Sequence, residues 1–119
     1  MNCEDIYQYC MSLPEVVETF PFDNVSLVFK VRDKMFALLP LDNPEWISLK
    51  CDPELAISLR EEHDGIRPAF HFNKKYWNMV RLNGEIPPAL LQRLIRHSYN
   101  CVLAKMTKPQ RAGLQPLPE

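Results

Sequence analysis

Between Ser26 and Cys51 the chain alternates. Leu27, Phe29 and Val31 take turns with Val28, Lys30 and Arg32, the period-two pattern of a half-buried strand. Met35 to Leu39 is continuously apolar, which predicts a more central partner. Residues 26–41 therefore read as a hairpin. Its turn near Arg32-Asp33-Lys34 lacks glycine, which argues against a two-residue turn and leaves the register open. After the turn signal Asp42-Asn43-Pro44, Ile47, Leu49 and Cys51 point one way and Trp46, Ser48 and Lys50 the other. The middle of the chain is thus committed to strands.

The flanks supply helices. Asn2 with Asp5 three residues on predicts a capped start, and Ile6, Tyr9, Cys10 and Leu13 recur at helical spacing until Pro14. Glu15–Phe22 reads as an edge strand, with Phe20 and Phe22 on one side and Pro21 tolerated at the edge. Asp52-Pro53-Glu54 starts a helix that runs to about His63, with Leu55, Ala56 and Leu59 inward, and Asp64-Gly65 stops it. Pro87-Pro88 opens the longest helix, to about Lys105. Its buried stripe is Leu90, Leu91, Leu94, Ile95, Ser98, Val102 and Met106, with Arg93, Arg96, His97 and Asn100 outside. One domain over residues 1–108 follows, with 109–119 as a mobile tail without periodicity.

The stretch Gly65–Asn78 is unlike the rest. It holds Phe70, Phe72, Tyr76 and Trp77, with His71, Asn73 and Asn78, and the cations Arg67, Lys74 and Lys75. Its first part should be irregular, because Pro68 cannot donate to a ladder. Tyr76–Leu82 should be a strand, with Trp77, Met79 and Arg81 on one side and Asn78, Val80 and Leu82 on the other. Two large apolar groups side by side predict that the Trp77 side is core.

Charge is divided along the chain. Residues 1–59 carry four Lys/Arg against ten Asp/Glu, and residues 60–119 carry ten against five, so the halves stand at −6 and +5. Such asymmetry suits a basic face that meets an anion, if the cations gather in space. Arg67, Lys74, Lys75, Tyr76, Arg81, Arg93 and Arg96 are the candidate nucleic-acid-binding residues: cations for phosphates, with rings to stack on bases. If the cations disperse instead, a protein-interaction domain or a small-molecule pocket beside His71 and Trp77 is the better reading.

Catalysis finds little support. Cys3, Cys10, Cys51 and Cys101 form no C-x-x-C pair, and Cys10, Cys51 and Cys101, on inward faces, are expected to be inert like most buried thiols. His63, His71 and His97 lie on three elements, so neither a metal nor any other cofactor is expected. Three glycines are too few for a phosphate-cradling loop. Free thiols and the absence of a long apolar run point to a cytoplasmic monomer that does not enter a membrane.

A set of motifs resembles the MmcQ/YjbR family of small bacterial proteins. They are Ser12-Leu13-Pro14, Phe20-Pro21-Phe22, Leu27–Val31, Lys34–Leu38, Leu49–Glu54, Ile66–His71, Asn73–Asn78 and His97-Ser98-Tyr99, in order over residues 1–108. The resemblance implies a compact α+β domain, an antiparallel sheet flanked by helices. It also implies DNA binding, a label drawn from the fold, and offers no catalytic residues. Three positions depart from the family's pattern. Arg32-Asp33 stands where a glycine pair is usual, which puts a charge on a wing-like hairpin tip. Ala69 replaces a glycine, and Tyr76 a frequent histidine. The expected function is therefore non-enzymatic DNA binding through the basic, aromatic segment, with an adaptor domain as the alternative.

Overall fold

A computed structural model describes residues 1–119. The elements are α1 (Cys3–Met11), β1 (Val16–Thr19), β2 (Ser26–Val31), β3 (Lys34–Pro40), β4 (Trp46–Lys50), α2 (Pro53–Glu62), β5 (Ile66–Pro68), β6 (Trp77–Arg81) and α3 (Pro88–Lys105). The strands form one antiparallel sheet in the order β1-β2-β3-β4-β6-β5. The three helices lie on the same face. Alternate strand residues (Leu27, Phe29, Val31, Leu39, Ile47, Leu49, Val80) meet Ile6 and Cys10 of α1, Ala56 and Leu59 of α2, and Leu91, Ile95 and Val102 of α3 in one core. The α+β architecture is as expected.

The helix starts follow from local chemistry. Asn2 and Asp5 form a reciprocal capping box, at 2.8 and 3.1 Å. Asp52 accepts from the Leu55 amide ahead of Pro53. In α3 the buried stripe also includes Tyr99 and Leu103, whereas Leu90 is only half-buried. Tyr99 is fully enclosed because its hydroxyl reaches the Pro14 carbonyl at 2.7 Å and its ring meets Phe36 edge-on.

Four expectations need correction. The β2–β3 turn is a two-residue turn after all: Arg32 and Asp33 both take left-handed backbone, φ 49° and 66°, without glycine. The Arg32 side chain compensates by clasping Glu15 and the carbonyls of Gln110 and Ala112, so it is no free wing charge. Secondly, Ile66–Pro68 is a strand, because β5 is an edge and Pro68 stands at its end, where no ladder donor is needed. Thirdly, β1 stops at Thr19, leaving Phe20, Pro21 and Phe22 outside the sheet and exposed. Finally, residues 109–119 pack against the body. Leu114 is buried, Arg96 binds the Pro118 carbonyl, and the Asn100 amide pairs with both the carbonyl and the N–H of Leu117.

The apolar run of β3 also has a local cause. The register slips between Phe29↔Ala37 and Lys30↔Met35, so Phe36 is an extra residue and both Phe36 and Ala37 join the core. The bulge interrupts pairing with β4. Ser98 of α3 fills the gap, its hydroxyl accepting from the Lys50 amide at 2.8 Å and donating to the Phe36 carbonyl.

Candidate nucleic-acid interface

With all helices on one face, the other face of the sheet is free to meet a ligand. The register aligns Thr19, Val28, Leu38, Ser48, Met79 and Arg67 in a row across it. Trp46 and Arg81 pair in the adjacent row, and Lys50 and Trp77 on the far side. The connection 20–25 rises at one end of the row and the connection 69–76 at the other. Between them lies a groove of about 580 Å³, floored by Leu38, Ser48 and Met79 and lipped by Phe22 and Phe70. Phe22 and Phe70 are 63% and 65% exposed, an unusual state for large rings that face each other across a cleft.

Cations lie beside Trp46, Phe70 and Tyr76. The Arg81 and Arg67 guanidinium carbons lie 4.6 and 5.7 Å from the centroid of Trp46. Lys74 Nζ sits 5.5 Å from the Phe70 ring and Lys75 Nζ 5.6 Å from that of Tyr76. Both distances are within reach of a cation–π attraction that leaves most of each charge hydrated. Neither lysine has an acidic partner, and Arg81 has only Glu85, at 3.5 Å. Opposite them, Asp23 brings a single carboxylate to the groove. Amide donation from Val25 and Ser26 holds its pKa below the usual carboxylate range, so it is ionised at neutral pH.

The seven sequence candidates therefore divide. Arg67, Lys74 and Arg81 gather about the open face, whereas Lys75 and Tyr76 stay with each other beside it, outside the groove lining. Arg93 and Arg96 belong to α3, in the opposite layer, and drop out of the same surface. Arg96 is also committed to protein, at 2.7 Å from the Tyr9 hydroxyl and 2.8 Å from the Pro118 carbonyl. Trp77 and Met79 share a side as expected, but that side is the open face. Asn78 and Val80 are the ones that point at the helices, with Asn78 donating to Ala56. Trp77 is buried nonetheless, because Phe72 folds over it in a stack with centroids 4.6 Å apart. Sequence reasoning missed Trp46, Ser48, Phe22 and Asp23 as groove residues. The signal for the first two was present, since alternation placed them opposite Ile47 and Leu49.

His71 stands exposed on the rim, while His97 is enclosed. His97 Nδ1 donates to Glu119 at 2.8 Å, and its Nε2 accepts from the Asp52 amide at 3.1 Å, with Cys101 Sγ 3.3 Å away. Burial would raise the Glu119 carboxyl, but hydrogen bonds from Asn100 and His97 outweigh it and hold it below its usual value. This line has the order of a thiol–imidazole–carboxylate relay. The imidazole lone pair is already shared with an amide, and burial pushes the Cys101 thiol up to about 11. Cys10 and Cys51 are pushed by burial to about 12. The structure brings no three His, Cys, Asp or Glu side chains into a metal-binding cluster, and no helix is long and apolar enough to cross a membrane.

Comparison with known proteins agrees with this architecture. The YjbR family model matches residues 11–101. YjbR of Escherichia coli K12 is 33% identical over 112 residues, covering 93% of this chain and 95% of that protein. YbdF of Escherichia coli O157:H7 is 33% identical over 114 residues, covering 95% and 93%. The crystal structure of Deinococcus radiodurans DR2400, with the domain DUF419, superposes with a TM-score of 0.91 at 42% identity, over 98% of this chain and 91% of that one. A crystal structure from Pseudomonas syringae gives 0.73 at 30% identity, over 86% and 99%. With its fold, its motifs and most of its length in common with these proteins, the chain belongs to the YjbR family.

Proposed function

We propose that this protein is a non-enzymatic nucleic-acid-binding module that holds a single strand along the open face of its sheet. The observation that carries this reading is the aromatic groove whose Trp46 and Phe70 rings are flanked by Arg67, Arg81 and Lys74. Rings stack on bases and cations neutralise phosphates, a combination that suits unpaired strands. The helices suit a duplex poorly. Glu4 and Asp5 lie in the first turn of α1, α2 exposes Glu54, Glu61 and Glu62, and α3 is overlaid by the segment that ends at Glu119.

Fluorescence anisotropy with a labelled single strand and its duplex tests the reading. At ~50 mM salt, where phosphate contacts are strong, the single strand should bind more tightly, and its affinity should fall steeply as salt rises. Lys74→Glu with Lys75→Glu should weaken it. Absence of binding to either form removes the proposal, and preference for the duplex would move the interface away from the groove. A second reading, a pocket for a small molecule, is favoured by the groove's volume, which lies within the roughly 300–1,000 Å³ of such sites. Saturable binding of free nucleosides or other planar compounds without strand binding would select it.

A further inference from the structure

Resting on the single-strand reading, we infer that the groove is a base-selective subsite. It takes one unpaired base and favours those with an exocyclic amine, adenine and cytosine among them, over thymine.

The first ground is Ser48. The protein has five serines, at 12, 26, 48, 58 and 98. Four hydroxyls are spent on protein acceptors: Ser12 on Tyr9, Ser26 on Asp23, Ser58 on Glu54 and Ser98 on Phe36. Ser48 alone has no protein partner, and it stands mid-floor between the paired side chains of Leu38 and Met79. A lone hydroxyl on an apolar floor, under two exposed rings, suits a flat ligand with an apolar face and a polar edge.

The second ground is charge polarity across the groove. Asp23 stands on the Phe22 side. Its Oδ1 accepts from the Val25 and Ser26 amides and its Oδ2 from the Ser26 hydroxyl, which leaves one acceptor position on Oδ2. The cations stand on the Phe70 and Trp46 side. A nucleotide has the matching asymmetry, with its phosphate drawn to the arginines and lysines and its base edge presented to the carboxylate. Adenine N6 and cytosine N4 are donors, whereas thymine O4 would set acceptor against carboxylate.

Anisotropy with labelled dA, dC and dT homopolymers of equal length, and an abasic strand of that length, tests the inference. The dA and dC strands should bind about tenfold more tightly than dT, the size of one discriminating contact, and the abasic strand most weakly. Ser48→Ala removes a hydroxyl with no protein bond, so it should fold normally and weaken the dA, dC and dT strands alike, because a hydroxyl serves donor and acceptor edges equally. Asp23→Asn should abolish the preference. Equal affinity for all four strands would overturn the subsite and leave the single-strand reading standing. No binding to any strand at low salt would overturn that reading and the subsite with it.

Discussion

Arg32 and Glu15 meet through two parallel hydrogen bonds, Nε to Oε1 and Nη2 to Oε2, each 2.8 Å. Both residues occupy left-handed backbone, φ 49° and 60°. Two side chains on strained turns thus hold each other, and Arg32 also holds the carbonyls of Gln110 and Ala112. The Arg32 hydrogen bonds place the Glu15 pKa below its ordinary value of 4.5 in the folded protein. A depressed carboxyl stabilises the fold above its unfolded pKa, and that contribution is lost as pH falls through the folded value. The melting temperature should therefore drop below about pH 4.5 in the parent, and Glu15→Gln should flatten that part of the profile. Arg32→Ala should melt lower than Glu15→Gln at neutral pH, because it also frees the two carbonyls. Melting curves across pH, read by circular dichroism, check both orderings.

Ser98→Ala should destabilise the protein by about 1–3 kcal/mol, since it leaves the Lys50 amide and the Phe36 carbonyl unpaired at a bulge. Urea unfolding gives the number. A loss near zero would mean that β3 and β4 close the gap themselves.

Trp77→Ala should cost about 3–5 kcal/mol, as for a large buried ring. Phe72→Ala should instead red-shift the tryptophan emission, because Phe72 is the cover over Trp77. Lys74→Glu with Lys75→Glu should change stability by no more than ~0.5 kcal/mol, both groups being exposed. A parent-like Trp77→Ala would show that the Phe72 stack is open in solution.

Alkylation at pH 8 should spare Cys10 and Cys51, whose thiols burial pushes up to about 12. Peptide mapping by mass spectrometry after timed iodoacetamide treatment reads this directly. Rapid labelling of Cys10 would contradict the enclosed position of α1 against the sheet.

Period-two and helical spacing made most elements legible, because those patterns record which side of each element is dry. They could not say which dry side was which. Trp77 and Met79 looked like core since nothing local reveals that Phe72 folds back over the ring. Arg32-Asp33 hid its turn because the usual marker is glycine, and the compensating partner, Glu15, lies across a strand. The C-terminal segment lacked periodicity, yet it is held by single side chains, Arg96, His97 and Asn100, that the helical pattern had set aside as outward. The cation cluster was half legible: adjacent charges near Trp77 stayed together, while Arg93 and Arg96 followed α3 to the other layer.

The strand order has a kinetic consequence. Among themselves β1 to β4 pair as sequence neighbours, whereas β6 reaches β4 across α2 and then places β5 outside itself. Loop closure makes such distant pairing slower than a meander of hairpins. We predict that β1–β4 assemble first and that Phe70, Arg67 and Arg81 arrive last. Nascent or partly folded chains would then lack the proposed binding face, so on that proposal capture of a strand would report a finished protein. Pulse-labelled hydrogen exchange during refolding, showing β5 and β6 amides protected as early as those of β2 and β3, would contradict that order.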